Sequence, residues 1–184
     1  VSISGVVDNN DPTNTLVASP TGLVDADLDG ITVTGTTNTA EVKYGTNTGD
    51  VITTESGSND DTLAVSDIEF NATGSAQTAI DTSTTNNAIN LTVTGNTFSE
   101  VAATAVDATV VNDGANPSTN VIDNNVVDST SSNAINVDAS GLGSDDSVSV
   151  SDNTITATGL SGVNIAGLGA DVLTLDNNDI DSDG

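Results

Sequence analysis

A short apolar motif returns along this chain at a nearly constant interval, and that interval limits the possible folds more than any other feature. Val148–Ile155 reads VSVSDNTI, and related octapeptides stand at Leu63–Phe70 (LAVSDIEF), Leu91–Phe98 (LTVTGNTF), Asn120–Val127 (NVIDNNVV) and Leu173–Ile180 (LTLDNNDI). Each holds an apolar anchor (Val65, Val93, Ile122, Val150, Leu175) and a second apolar residue five positions later (Phe70, Phe98, Val127, Ile155, Ile180). The anchors lie 28, 29, 28 and 25 residues apart. A unit of this size cannot bury an apolar face alone, but a stack of such units can.

The units read as strands. Apolar runs are short, alternating and rich in Val and Ile, while Gly, Asn, Asp, Ser and Thr interrupt every stretch long enough to form a helix. A second landmark keeps step with the anchors: Ala79-Ile80-Asp81, Ala105-Val106-Asp107, Ala134-Ile135-Asn136 and Gly162-Val163-Asn164. Each period therefore holds three extended segments, with its variable part at Gly114–Thr119, Gly141–Asp146 and Gly167–Asp171. ITVTGTT at Ile31–Thr37 matches LTVTGNT at Leu91–Thr97 and makes Val33 a further anchor, but Asn38 stands where the next apolar residue is expected. Residues 1–30 are the least regular and are expected to form a separate strand or cap segment, with the repeat domain over 31–184. Coiling places the anchors above one another at steps of ~4.8 Å, so that like residues form continuous inward columns.

Asn96, Asn125, Asn153 and Asn178 occupy one place in four coils, between the anchor and the second apolar residue; Ile68 interrupts the series. The bend there is short, and Asn tolerates left-handed backbone geometry. Stacked asparagines can also bond their amides from coil to coil. The pattern apolar–x–x–Asn–x–apolar, followed by a small-apolar step, resembles the right-handed parallel β-helix repeats of the pectate-lyase-like fold. The resemblance covers Leu63–Ile180 closely and Ile31–Leu63 loosely. It implies an all-β, right-handed parallel β-helix (solenoid) of five to six coils, ~28 residues per coil. The alternative is a β-sandwich, which does not predict such a period. The family's scaffold carries lyases, hydrolases, phage tailspikes, adhesins and surface layers, so the resemblance fixes no function.

Composition narrows the function classes. The chain carries 27 acidic residues against the single Lys43, with no His and no Cys, for a formal charge of −26. Nucleic acid and anionic membrane surfaces need Lys and Arg to neutralise phosphate, so neither is an expected partner. Disulfides and thiolate metal sites are impossible without Cys. No apolar run approaches the ~18 residues of a membrane span. A hydrated carboxylate surface can serve solubility in salt, can prevent association, or can bind cations. Catalytic triads lack their His, and the resemblance implies no polysaccharide cleavage either, because the family's lyases use a basic residue near calcium and its hydrolases support their carboxylates with His and basic residues. No enzyme is expected.

Two acidic runs, Asp25/Asp27/Asp29 before Gly30 and Asp179/Asp181/Asp183 before Gly184, present alternate carboxylates of the kind a calcium ion takes. Thr36 stands where an EF-hand needs Glu, so neither is an EF-hand. Calcium is the one cofactor these residues suggest, and the clusters Asp25/Asp27/Asp29, Asp60/Asp61, Asp145/Asp146 and Asp171 are expected along one edge of the stack.

The sequence opens at Val1 without Met, so a processed or excised form is expected. The functional expectation is a structural extracellular or cell-surface protein that forms head-to-tail filaments, sheaths or fibres. Val1–Val7, with Val1, Ile3, Val6 and Val7 as its apolar residues, reads as a strand that can add to a neighbour's sheet. The alternative is an adhesin or phage-fibre module recognising surface glycans or proteins. Carbohydrate sites usually offer aromatic platforms, and Tyr44 is the one aromatic outside the apolar columns.

Overall fold

The computed structural model describes residues 2–4, 15–17, 23–24, 31–34, 40–44, 52–53, 61–72, 78–82, 88–99, 101, 103–112, 117–128, 130–156, 159–167 and 172–181. It is a parallel β-solenoid with ~28 residues per turn and three strands in each turn. The first sheet stacks Ser2–Ser4, Ile31–Thr34, Asp61–Ser66, Ala88–Thr94, Thr119–Asp123, Ser147–Ser151 and Val172–Asp176. The second stacks Thr15–Val17, Ala40–Tyr44, Ile68–Ala72, Thr97–Ser99, Val126–Val127, Thr154–Thr156 and Asp179–Asp181. The third stacks Leu23–Val24, Ile52–Thr53, Ile80–Asp81, Val106–Val111, Ile135–Gly141 and Val163–Ala166. The coil number differs from the expected five to six. About three turns are described on all three faces with their side chains, and the backbone ladders run on to seven rungs in two sheets and six in the third.

The columns follow the sequence period. Val33, Val65, Val93, Ile122, Val150 and Leu175 pair rung upon rung. Phe70, Phe98, Val127, Ile155 and Ile180 do the same in the second sheet, and Ile80, Val106, Ile135 and Val163 in the third. From Val65 onward, strand alternation turns these residues inward together with Leu91, Ala108, Val110, Val137, Ala139 and Val148, and all of these but Leu175, Ile180 and Val163 are buried. Phe70 and Phe98 stack with ring centroids 4.9 Å apart and planes 8° from parallel, which is the rung spacing itself.

The second landmark has a steric cause. Ala79, Ala105 and Ala134 are fully buried where the chain enters the third sheet, leaving no room for a larger side chain. At the equivalent Gly162 a Cβ would come within 2.5 Å of Ile180 Cγ2.

The second apolar column passes through Val42, not through the position of Asn38: Val42 pairs with Phe70, so the bend after Val33 is longer than in later coils. Residues 1–30 supply one strand to each sheet, through Ser2–Ser4, Thr15–Val17 and Leu23–Val24. The Ser2–Ser4 strand that holds Ile3 is thus the first rung of the first sheet, paired in parallel with Ile31–Thr34. Val1, Val6 and Val7 lie outside the described residues.

Phe98→Ala would remove one member of the stacked pair and leave a cavity between two rungs. We expect a loss of about 3–5 kcal/mol in urea unfolding, against a loss below about 0.5 kcal/mol for an exposed position such as Thr154→Ser.

Candidate functional site

The bend between the first and second sheets is built by two consecutive residues with separate tasks. The left-handed residue is Asp67, Gly95, Asn124, Asp152 or Asn177, with φ between 52° and 66°. The asparagines Asn96, Asn125, Asn153 and Asn178 follow it and do not themselves carry the positive φ, which corrects their assignment as the left-handed positions. Asp, Asn and Gly are the residues that enter this region at least cost. The left-handed residue keeps its backbone bond to the next coil, as Asp67 N–H to Thr94 O (3.1 Å) and Asn124 N–H to Ser151 O (3.1 Å) show.

The asparagine then turns inward. Asn125 Oδ1 accepts from both the backbone N–H and the Nδ2 of Asn96, each at 3.0 Å. Asn125 Nδ2 donates back to Val93 O at 2.9 Å and onward to Asn153 Oδ1 at 3.0 Å. The unit repeats at Asn153, whose Nδ2 reaches Ile122 O and Asn178 Oδ1 at 3.0 and 2.9 Å. At the start of the ladder Ile68 offers only its backbone N–H, to Asn96 Oδ1 at 3.0 Å. Every donor and acceptor of the central amides is thereby used, which is what lets Asn96, Asn125 and Asn153 stand fully buried in an apolar interior. The last member differs. Asn178 Nδ2 donates to Val150 O at 2.8 Å, and among the described residues no further Oδ1 receives its backbone N–H.

Among the described residues, no further rung covers this one. Leu175 and Ile180 are 53% and 44% exposed, whereas Val150 and Ile155, one rung earlier in the same columns, are 0% and 1%. With Val163, Ile165, Leu173 and Asn178 they line a recess of about 360 Å³. It is the cross-section of the core, floored by residues that cover their predecessors but are not covered in turn.

A second polar cluster was not legible in the sequence. Asp146, expected on an exposed acidic edge, is fully buried. Its carboxylate accepts from Asn112 Nδ2 (2.6 and 2.7 Å), Ser118 N–H (2.6 Å) and Gly143 N–H (2.5 Å), tying the Gly141–Asp146 loop to the preceding coil. Burial alone pushes this carboxyl up, but the Ser118 and Gly143 N–H groups and the Asn112 amide together hold it below the usual carboxylate range. Asp107 goes the other way. Burial raises it, the Asn136 amide (2.8 Å) pulls it down, and the neighbouring Asp81 raises it again. Asn136 in turn accepts from Asn164 Nδ2 at 2.6 Å, so the polar half of the second landmark is an outward ladder on the third sheet.

Of the expected calcium residues, Asp25, Asp27, Asp29 and Asp183 lie outside the described residues. Asp179 and Asp181 are exposed alternate residues of one extended strand, flanking Ile180. Among the described residues, no group of three or more His, Cys, Asp or Glu is placed to hold a metal ion. No described helix is long and apolar enough to cross a membrane. No family model, curated protein or solved structure matches the chain. The class that fold and site define is a parallel β-solenoid with an internal asparagine ladder.

Two outcomes test these clusters. Asn125→Ala leaves the Asn96 N–H, one Asn96 amide hydrogen and the Val93 carbonyl without partners in a buried site; we expect a loss of roughly 2–5 kcal/mol, with Asn178→Ala costing much less. For Asp146, the folded-state carboxyl titrates below its unfolded value, so its contribution is present above the unfolded pKa and is lost as pH falls through the folded one. Asp146→Asn should therefore lower the urea midpoint at pH 7, and the gap to the parent chain should narrow as the pH is taken down through the acid range.

Proposed function

We propose that this chain is a structural subunit of an end-to-end fibre or sheath, placed outside the cell or on its surface. The observation that carries this reading is the in-register parallel stacking of all three sheets, rung upon rung, around apolar columns buried from Val65 to Val150 and from Phe70 to Ile155. Stacked coils associate by the same parallel strand pairing and apolar contact that join them within one chain. A contact that uses unlike surfaces on two copies does not close on itself and generates filaments.

The flanks support a structural role. Their outward positions are small and polar, as in the first-sheet column Thr94, Asp123, Ser151 and Asp176, where Ser151 Oγ donates to Asp123 at 2.7 Å. Two of the three aromatic residues, Phe70 and Phe98, are consumed by the core, which leaves a glycan-binding reading with little to stand on. The non-enzymatic branch of the pectate-lyase-like scaffold fits this surface better than a catalytic one.

The test is assembly of the purified chain in sedimentation velocity and negative-stain electron microscopy, compared with Leu175→Asp/Ile180→Asp and with a chain lacking residues 1–10. We expect fibres from the parent chain and monomers from both variants. Fibres of unchanged length from the double variant would show that the Leu175 and Ile180 rung is not the contact.

A further inference from the structure

The asparagines of the ladder spend Nδ2 on holding the coils together, and Asn112, Asn120, Asn136 and Asn164 donate theirs to Asp146, Ser118, Asp107 and Asn136. Asn90 differs. Its Oδ1 accepts the Thr119 N–H of the next rung at 2.9 Å, while among the described residues its Nδ2 has no acceptor. Asn133 bonds in the same way, through Oδ1 to the Ser161 N–H at 3.1 Å. Sequence separates the two. Asn90-Leu91-Thr92 is an Asn-x-Thr triplet, the acceptor form for N-linked glycosylation, whereas Ile135 stands two residues after Asn133. The atom that such a transfer uses is Nδ2, the one that Asn90 leaves idle.

The strand presents this triplet on its outer side. Leu91 is fully buried, and alternation turns Asn90 and Thr92, both partly exposed, to the outer face. The ladder shifts by a residue between Ala88 and Asn90, so Asn90 stands at the irregular entry of its rung. Its neighbours there, Thr92 and the exposed Thr119, are small.

We propose that Asn90 is the acceptor of an N-linked oligosaccharide carried on the outer flank of the first sheet. This rests on the surface reading above, because the modification belongs to secreted and surface chains. The donor class is an oligosaccharide joined through its anomeric carbon to a lipid phosphate or pyrophosphate. Nδ2 attacks that carbon and the bond from carbon to phosphate oxygen breaks. The phosphate leaves with the bonding pair, and Nδ2 gives one proton to a base of the transferase. The product is still an amide, so Oδ1 keeps its bond to Thr119 and the rung folds as before.

Asn71-Ala72-Thr73 is the other triplet of this form, and the proline of Asn116-Pro117-Ser118 bars a third. Cleavage before aspartate separates the two, with Asn90 in residues 81–106 and Asn71 in residues 67–80. The test is mass spectrometry of these fragments from the full chain recovered from the surface of the cells that make it. Fragment 81–106 should be heavier by whole sugar residues. Asn90→Gln should abolish that increment, as should Thr92→Val, which leaves the Thr119 bond in place; Thr92→Ser keeps the triplet and should retain it. Sugar on 67–80 alone, or on neither fragment, would overturn the assignment of Asn90 and leave the surface reading standing. An increment that survives Asn90→Gln would overturn it in favour of a sugar on a hydroxyl. A chain confined to the cytoplasm would overturn the surface reading and the proposal together.

Discussion

The structure depends on how a parallel coil turns its first corner. A chain that must pass from one sheet to the next in two residues needs one of them in the left-handed region, and the next then points its N–H into the interior, away from any strand carbonyl. The asparagine ladder answers that second demand. Its side-chain oxygen takes the orphan N–H of the neighbouring coil and its amide returns a bond to the anchor's carbonyl, as at Val65 and Val93. Aspartate cannot replace it, because a carboxylate has nothing to donate and would stand against its neighbours' oxygens. At the left-handed position of the bend, as at Asp67 and Asp152, aspartate is accepted because there the residue has only to tolerate the backbone geometry.

Much of this was legible in the sequence for a reason peculiar to stacked coils. A column is a one-dimensional lattice: a residue at position n meets its equivalent one period on, so the anchors from Val65 to Leu175 could be aligned by eye and do pair. What failed were features that a period does not encode. The positive φ fell one residue before the asparagines because a sequence shows that Asn is present but not which of its properties is in use. The long bend between Val33 and Val42 broke the template without breaking the sheet. Asp146 could not be foreseen as a buried clamp, since its main partner Asn112 lies 34 residues away in a loop that follows no repeat. An acidic residue beside glycines reads as a solvated turn until its donors are seen.

The two polar networks differ in what they ask of pH. The asparagine ladder carries no charge and is indifferent to it, whereas Asp146 contributes in its ionised form and Asp107, raised by burial and by Asp81, resists ionisation. Acid therefore removes one restraint at a loop while relieving a repulsion on the third sheet, and the core columns are untouched. The overall charge acts over a longer range. It opposes close approach of the flanks of two copies, a repulsion that salt screens.

The ladder also gives the solenoid a polarity that its hydrophobic columns lack. Apolar columns would accept a cover from either direction, since burial is not directional. Hydrogen bonds are. Each described coil of the ladder presents donors to the coil that follows and an oxygen to the coil that precedes, so the ladder has a direction. Parallel pairing adds the same asymmetry in the backbone. A rung that followed Asn178 with its strand direction reversed would leave that inward N–H without an acceptor in an apolar surround, at a cost of about 1–3 kcal/mol.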